Sequence, residues 1–304
     1  MLSDPYPLKF GCKISIFLRE ICFFALFSVI LRENHDIYMR NKKLYLLLLL
    51  PLLLLACKGS DEPTITFEPI TTDKEVKLSS EDNSPRCQVH LDLLQATADN
   101  GEKAKIINET LMARLLNKPG EKDLQTAALK FTDDYTTSYK NTMLPLYNQD
   151  RNDTAKIAWY EYHYLVEATT QQGTAHTLSY LATVDYYEGG AHGINQLITF
   201  NFDIATGKLI TLADVFAPGY ESQLKTSLMK ALKSKTGLNS INELKDAGYL
   251  YSMDMFPSEN FILNDETITF VYNPYEIAPY AVGSIELVIT YNEVSQILNP
   301  SFKH

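Results

Sequence analysis

Chemistry is most concentrated in one short stretch, Asp185-Tyr186-Tyr187-Glu188-Gly189-Gly190-Ala191-His192-Gly193. Two carboxylates and an imidazole flank three glycines. Glycine lets a substrate approach the backbone, and histidine changes charge near neutral pH. Asp185, Glu188 and His192 can therefore be read as the acid and base of a hydrolase, or as a loop that touches a ligand. The competing reading is structural: Gly189, Gly190 and Gly193 supply positive φ between two strands, and His192 bonds back to the loop. The structural reading is preferred, because no nucleophile or second base stands nearby in the chain. An enzyme is not expected.

The wider search for chemistry returns few features. The sequence has no Gly-rich phosphate loop, no His-Glu-x-x-His and no Gly-x-Ser-x-Gly elbow. His90, His163, His176 and His192 do not pair at metal-ligand spacing, and the first three fall on expected strands. No metal and no cofactor are expected. Tyrosine is abundant, 19 in all, with Tyr160, Tyr162, Tyr164, Tyr180, Tyr186 and Tyr187 on one expected hairpin. Such rings serve either as core filling or, if exposed, as a stacking surface for a glycan or a protein.

The elements that must position these residues follow from hydrophobic period. Gln88 to Leu94 reads as a strand, followed by a helix over about 101–117 with Ile106, Ile107, Leu111, Leu115 and Leu116 on one stripe. A second helix runs over about 121–143, with Pro145 expected to stop it. From residue 155 the period becomes two. Tyr160, Tyr162, Tyr164 and Val166 alternate, Gln171-Gln172-Gly173-Thr174 turns, and Leu178, Tyr180, Ala182, Val184 and Tyr186 return. Strands follow at 194–202 and 209–212, a helix at 220–234 carries Leu224, Leu228 and Leu232, and a second hairpin turns at Asn264-Asp265. Ser284 to Thr290 is the last strand. The expected fold class is α+β: an antiparallel sheet or meander (about 155–215 and 260–290) with packed helices, plus a smaller N-terminal helix-and-strand subdomain.

The remaining signals concern address. From Met39 the chain reads Met-Arg-Asn-Lys-Lys, then an apolar run Leu44–Leu55 broken by Pro51, then Ala56-Cys57. A positive start, a run too short to span a bilayer and a small residue before cysteine make 39–56 a lipoprotein signal peptide with a lipobox, and Cys57 the lipidated residue. Residues 1–38 are expected to be an over-extended start. Residues 57–85 read as the lipidated Cys and a polar tether, with a short strand about 65–70; 86–150 as the N-terminal subdomain; and 151–300 as the C-terminal domain. Cys87 alone remains in the body, so no internal disulfide is expected. Seven of the 27 basic and four of the 37 acidic residues fall in 1–56, leaving 20 against 33, a formal −13. That charge excludes nucleic-acid binding; solubility is its first reading, and attraction of a basic partner the second.

Three stretches together resemble a family of extracytoplasmic bacterial domains of unknown function. These are Tyr186–Gly193, Phe202–Phe216, and Asn260-Phe261 with Tyr272–Gly283 and Ile289–Val294. The family is found in the sensor domain of the lysozyme-responsive anti-sigma factor RsiV and in the N-terminal non-catalytic part of a peptidoglycan deacetylase. The resemblance spans about 155–298 and implies a non-enzymatic binding domain outside the cytoplasm, linked to peptidoglycan and muramidases. This chain has neither the sigma-binding segment nor a deacetylase domain. The expected function is a stand-alone, lipid-anchored recognition module for peptidoglycan or a basic protein such as lysozyme. The alternatives are an envelope hydrolase using Asp185, Glu188 and His192, or a structural envelope component. The expected ligand contacts are Tyr187, Glu188, His192, Tyr275, Glu276 and Tyr280, and the expected location is the cell envelope, on a periplasmic or surface face.

Overall fold

The computed structural model describes residues 65–302. The expected signal peptide (39–56), the upstream stretch 1–38 and the expected lipidation site Cys57 lie outside the described residues. Within them the chain is α+β, with a six-stranded mixed sheet, a three-stranded antiparallel sheet and five helices.

The large sheet is built from β1 (Phe67–Lys77), β2 (Arg86–Ala96), β3 (Tyr162–Gln172), β4 (Thr177–Glu188), β5 (Ile194–Asp203) and β6 (Leu209–Ile210), which lie in chain order. Where a tether with a short strand about 65–70 was expected, the structure places the eleven-residue β1. β1 pairs with β2 along its whole length, from Phe67↔Ala96 to Lys77↔Arg86. Its β-branched residues suit a pleated surface, and Thr72 is buried while Phe67, Ile70 and Val76 pack on the core. Pro69, Lys74 and Lys77 guard it as an edge strand.

Two helices separate β2 from β3: α1 (Glu102–Arg114) and α2 (Leu124–Asp150). They return the chain so that β2 and β3 run parallel, Cys87↔Tyr162 to Asp92↔Glu167, while every other pair in the sheet is antiparallel. Of the expected stripe, Ile107 and Leu111 are fully covered, Leu115 and Leu116 are buried just past the end of α1, and Ile106 is half-buried. Asp123 caps α2, its Oδ1 accepting the Thr126 N–H at 2.7 Å. Pro145 does not stop α2, contrary to expectation. Proline removes only one helical N–H, and the turn beyond it is held by tertiary contacts. Tyr147 is buried edge-on against Tyr160, and Asp150 accepts from the Tyr160 hydroxyl and from Lys156, both at 2.8 Å.

After β6 come α3 (Leu212–Val215), α4 (Glu221–Thr236) and α5 (Ile241–Asp246), then the small sheet of β7 (Phe261–Leu263), β8 (Thr267–Tyr272) and β9 (Ile285–Thr290). Leu224, Leu228 and Leu232 of α4 are fully buried in the core it shares with that sheet. The Ser240-x-x-Glu243 capping box opens α5, a helix that the apolar pattern did not reveal.

There are two hydrophobic cores, one from Ile65 to Ile204 and one from Leu212 to Val294. The two cores meet between Ile204 and Leu212, and the pairing of β2 with β3 carries the large sheet across the division expected near 150. Residues 63–304 form one compact unit. Side chains of three asparagines join the sheets. Asn260 Oδ1 accepts the Thr199 N–H at 2.8 Å and its Nδ2 donates to Leu197 O at 2.6 Å. Asn273 Oδ1 accepts the Leu197 N–H at 2.9 Å and its Nδ2 donates to the same oxygen at 3.0 Å. Asn201 donates to Phe261 O at 2.8 Å and accepts from the Leu263 N–H. The Asn260 and Asn273 amides occupy the edge of β5 beyond the short β6, so the backbone groups of Leu197 and Thr199 are satisfied without a neighbouring strand.

Candidate functional site: an aromatic stack at the junction of two loops

Strand parity sorts the residues of the Gly-rich stretch before any contact is considered. On β4 the even residues Tyr180, Ala182, Val184 and Tyr186 face the first core. Asp185 and Tyr187 therefore lie on the opposite face from Glu188.

On that outer face Asp185 Oδ1 pairs with His163 Nε2 at 2.7 Å, and Asn195 donates to its other oxygen at 3.4 Å. Tyr187 lies over His163, ring centroids 6.1 Å apart, and its hydroxyl donates to Gly190 O at 2.9 Å. A similar pair, His90 with Asp73, sits on the β1–β2 part of the same sheet. Neither pair was evident from local sequence, because the partners come from different strands. His176, expected on a strand, is an exposed turn residue before β4.

Glu188 Oε1 accepts the Tyr135 hydroxyl of α2 at 2.7 Å. Cys87 lies beneath, fully buried as a small apolar side chain, with burial and the Glu188 charge pushing its thiol up to about 12. Burial and the hydrogen bond to Glu188 raise Tyr135 as well.

The loop after β4 turns with positive φ at Gly189 and Gly190 but, contrary to expectation, not at Gly193, where glycine is required instead by the close approach of Tyr186 O, 2.9 Å from where a Cβ would stand. A Cβ on Gly189 would stand 2.7 Å from Trp159 O, so the close approach itself requires glycine. His192 follows, exposed. Its Nδ1 lies 3.0 Å from Gly193 O and its Nε2 3.1 Å from the Tyr275 hydroxyl. With Nδ1–H donating to the carbonyl, Nε2 accepts from Tyr275. The imidazole stacks face to face on Tyr280, centroids 3.6 Å apart and planes 12° from parallel. Tyr275 and Tyr280 are themselves 5.7 Å apart at 30°.

Both tyrosines come from the loop between β8 and β9, which Asn273 pins to β5. Glu276 serves that pin: its Oε2 accepts the Asn273 N–H at 2.8 Å, and burial raises its carboxyl above the usual range against the pull of that bond. Tyr275 is 56% exposed and has φ +73°, the left-handed region that a non-glycine residue adopts only at a cost of about 1–3 kcal/mol. Of the six expected contacts, His192, Tyr275 and Tyr280 come together. Tyr187 tilts against His163 on the outer sheet face, Glu188 turns to α2, and Glu276 holds the loop.

A cleft of about 680 Å³ runs along the asparagine junction, lined by Ile198, Phe200, Leu209, Asn260 and Asn273, with Arg114 among its other residues. Among the described residues no group of three or more His, Cys, Asp and Glu side chains is placed to hold a metal. No described helix is long and apolar enough to cross a membrane.

Residues 213–292 match the family described as "Protein of unknown function (DUF3298)". A DUF3298 domain thus occupies the second core and contributes Tyr275 and Tyr280. The chain is similar to the crystal structure of a DUF3298-family member from Bacteroides fragilis NCTC 9343, with 27% identity over 78% of this chain and 95% of that one, and a TM-score of 0.70. It also shares its fold with a DUF3298-family protein from Pseudomonas aeruginosa PAO1, at 18% identity, 79% and 96% coverage, and a TM-score of 0.54. No curated protein matches it.

Proposed function

We propose that this chain, which carries a DUF3298 domain, is a non-enzymatic recognition module of the bacterial envelope, lipid-anchored at Cys57 and binding peptidoglycan glycan through the His192–Tyr275–Tyr280 stack. The observation that carries the reading is Tyr275. A large ring is held half out in solvent in a costly backbone conformation, and its neighbours are stacked to hold it there. Strain of this kind persists where surrounding structure over-determines it, and such places cluster at binding sites. Flat exposed rings suit the apolar face of a sugar. A basic muramidase is the second ligand class, favoured by the formal −13 of residues 57–304.

Hydrolysis by Asp185, Glu188 and His192 would need the three groups on one bond. Their partners here are His163, Tyr135 and Tyr275, on three different elements. His192→Ala separates the two readings: an enzyme loses turnover by orders of magnitude, whereas a binding module has none to lose.

The direct test is calorimetric titration of residues 63–304 with soluble peptidoglycan fragments and, separately, with lysozyme. Saturable glycan binding that drops at least about tenfold, or 1.4 kcal/mol, in Tyr275→Ala supports the stack. Glycan binding that is unchanged in Tyr275→Ala and Tyr280→Ala removes it. Acylation is tested by the mass of the N-terminal peptide from cells making the wild type and Cys57→Ser.

A further inference from the structure

We propose that the notch beside Glu188 is a second site, which takes the ammonium or guanidinium head of a lysine or arginine side chain presented by a partner protein. It shares no residue with the stack at Tyr275. The notch lies where the end of β4 meets α2, and its walls are Tyr135, Tyr139, Tyr162 and Met143 around the Glu188 carboxylate. Each tyrosine's hydroxyl proton is committed: Tyr135 to Glu188 at 2.7 Å, Tyr139 to Tyr160 O at 2.7 Å, and Tyr162 to Met143 Sδ at 3.4 Å. What remains for a ligand is aromatic surface, a thioether, the second carboxylate oxygen and the small hydroxyl residues Ser138 and Thr142 at the α2 side.

Such a set fits one class of ligand. Aromatic rings attract cations through their quadrupole, and a carboxylate completes the pair. Glu188 has no ion pair with any described Lys, Arg or His, although eleven other ion pairs occur among those residues. The fixed charges that press on Tyr135, Tyr139, Tyr162 and Cys87 are those of Glu188 and Glu161, with no cation among them. A cation entering the notch therefore meets an uncompensated negative site. One carboxylate without further metal-ligating groups does not make a metal centre, which leaves an organic cation. The volume, about 200 Å³, lies below that of small-molecule pockets and holds one side-chain head. The source we assign is a protein, because the acidic body steers basic proteins toward it.

Trp159, the single tryptophan, provides the readout. It is 55% exposed, and its carbonyl abuts Gly189, the neighbour of Glu188. Residues 63–304 contain both cores and are tested alone. Trp159 fluorescence and calorimetry would follow titration with Nα-acetyl-lysine amide, its Nζ-acetylated neutral form, the arginine counterpart and a lysine-rich peptide, at physiological salt. The expected result is saturable binding of the cationic probes, none of the neutral one, and tighter binding of the peptide. Glu188→Gln, which keeps the side-chain volume, should weaken binding by about tenfold. Glu109→Gln, an exposed charge on α1, controls for net charge and should leave it unchanged. Thermal melts confirm that both variants fold. The site is overturned if Glu188→Gln binds as the wild type does, if the neutral probe binds equally, or if no cationic probe saturates. Equal affinity for the amino acid and the peptide would reject the protein source. None of these results depends on glycan binding at Tyr275.

Discussion

Asn260 and Asn273 offer the sharpest test of how the two sheets are held together. Asn260→Ala removes the acceptor of the Thr199 N–H, on a residue only 7% exposed, while Leu197 O keeps its donor from Asn273. One orphaned buried N–H costs about 1–3 kcal/mol. Asn273→Ala orphans the Leu197 N–H, with Asn260 still serving Leu197 O; because Leu197 is only half-buried, the loss should fall at the lower end of that range, about 1 kcal/mol. The double variant leaves Leu197 O with neither amide donor. It should exceed the sum of the single losses by about 0.5–1.5 kcal/mol, the net worth of one hydrogen bond. Urea unfolding of residues 63–304 gives the three free energies. Native-state hydrogen exchange should show lost protection in Phe261–Tyr272 and along β5, with β1 and β2 unchanged. Single variants within about 0.5 kcal/mol of wild type, or a strictly additive double, would refute the claim that these amides stand in for a missing strand.

Three further outcomes are expected. Burial holds the Glu276 carboxyl above its usual range, so the folded state binds that proton more tightly than the unfolded chain does, and this contribution is lost as pH rises through the raised value. Glu276→Gln, which can still accept the Asn273 N–H, should therefore gain stability over wild type as pH rises above the ordinary carboxylate value of about 4.3; a difference that does not grow with pH contradicts this. In residues 63–304 Cys87 is the sole cysteine, buried and pushed up to about 12, so a thiol reagent at mildly alkaline pH should find no reactive group until urea unfolds the chain, and then one. Asp123→Ala should cost about 1 kcal/mol by uncapping α2. Because hydrogen bonds to Thr126 lower the Asp123 carboxyl, the same stability should drain from the wild type as pH falls through that lowered value, and a variant deficit that persists in acid would contradict the assignment.

Much of the fold was legible because burial imposes period. The hairpin of β3 and β4, the stripe of α1 and the leucines of α4 were read from spacing alone, and the structure turns those residues to the cores, with Ile106, Tyr162, Tyr164 and Tyr186 half-buried. Motif order likewise pointed to the family now found at 213–292. The misreadings share a cause in long-range partners. β1 reads as a polar tether until β2 lies beside it, and Pro145 reads as a stop until Tyr147 and Asp150 find Tyr160. The boundary near 150 looked natural until the parallel pairing carried the sheet across it. At the site, His192, Tyr275 and Tyr280 were named from sequence but not as one stack. Glu188 was grouped with Asp185, although the alternation of β4 already placed them on opposite faces. Asn260 and Asn273 stood inside the quoted motifs as unremarked polar residues, because an amide that replaces a strand leaves no periodic trace.

The parallel pairing of β2 with β3 also governs how the molecule can be assembled in time. On one side of it stands the hairpin of β1 and β2, on the other the run of β3, β4 and β5, each made of neighbours in the chain. Joining them closes a loop of 65 residues, from Ala96 to Tyr162, whose ordering entropy precedes any reward from the contact. Folding rate should therefore depend on α1 and α2, which shorten that loop, more than on the long hairpin. During synthesis the first hairpin must wait with its β2 edge unpaired until residue 167 has emerged, and over that interval it is the part of the chain most open to the wrong strand.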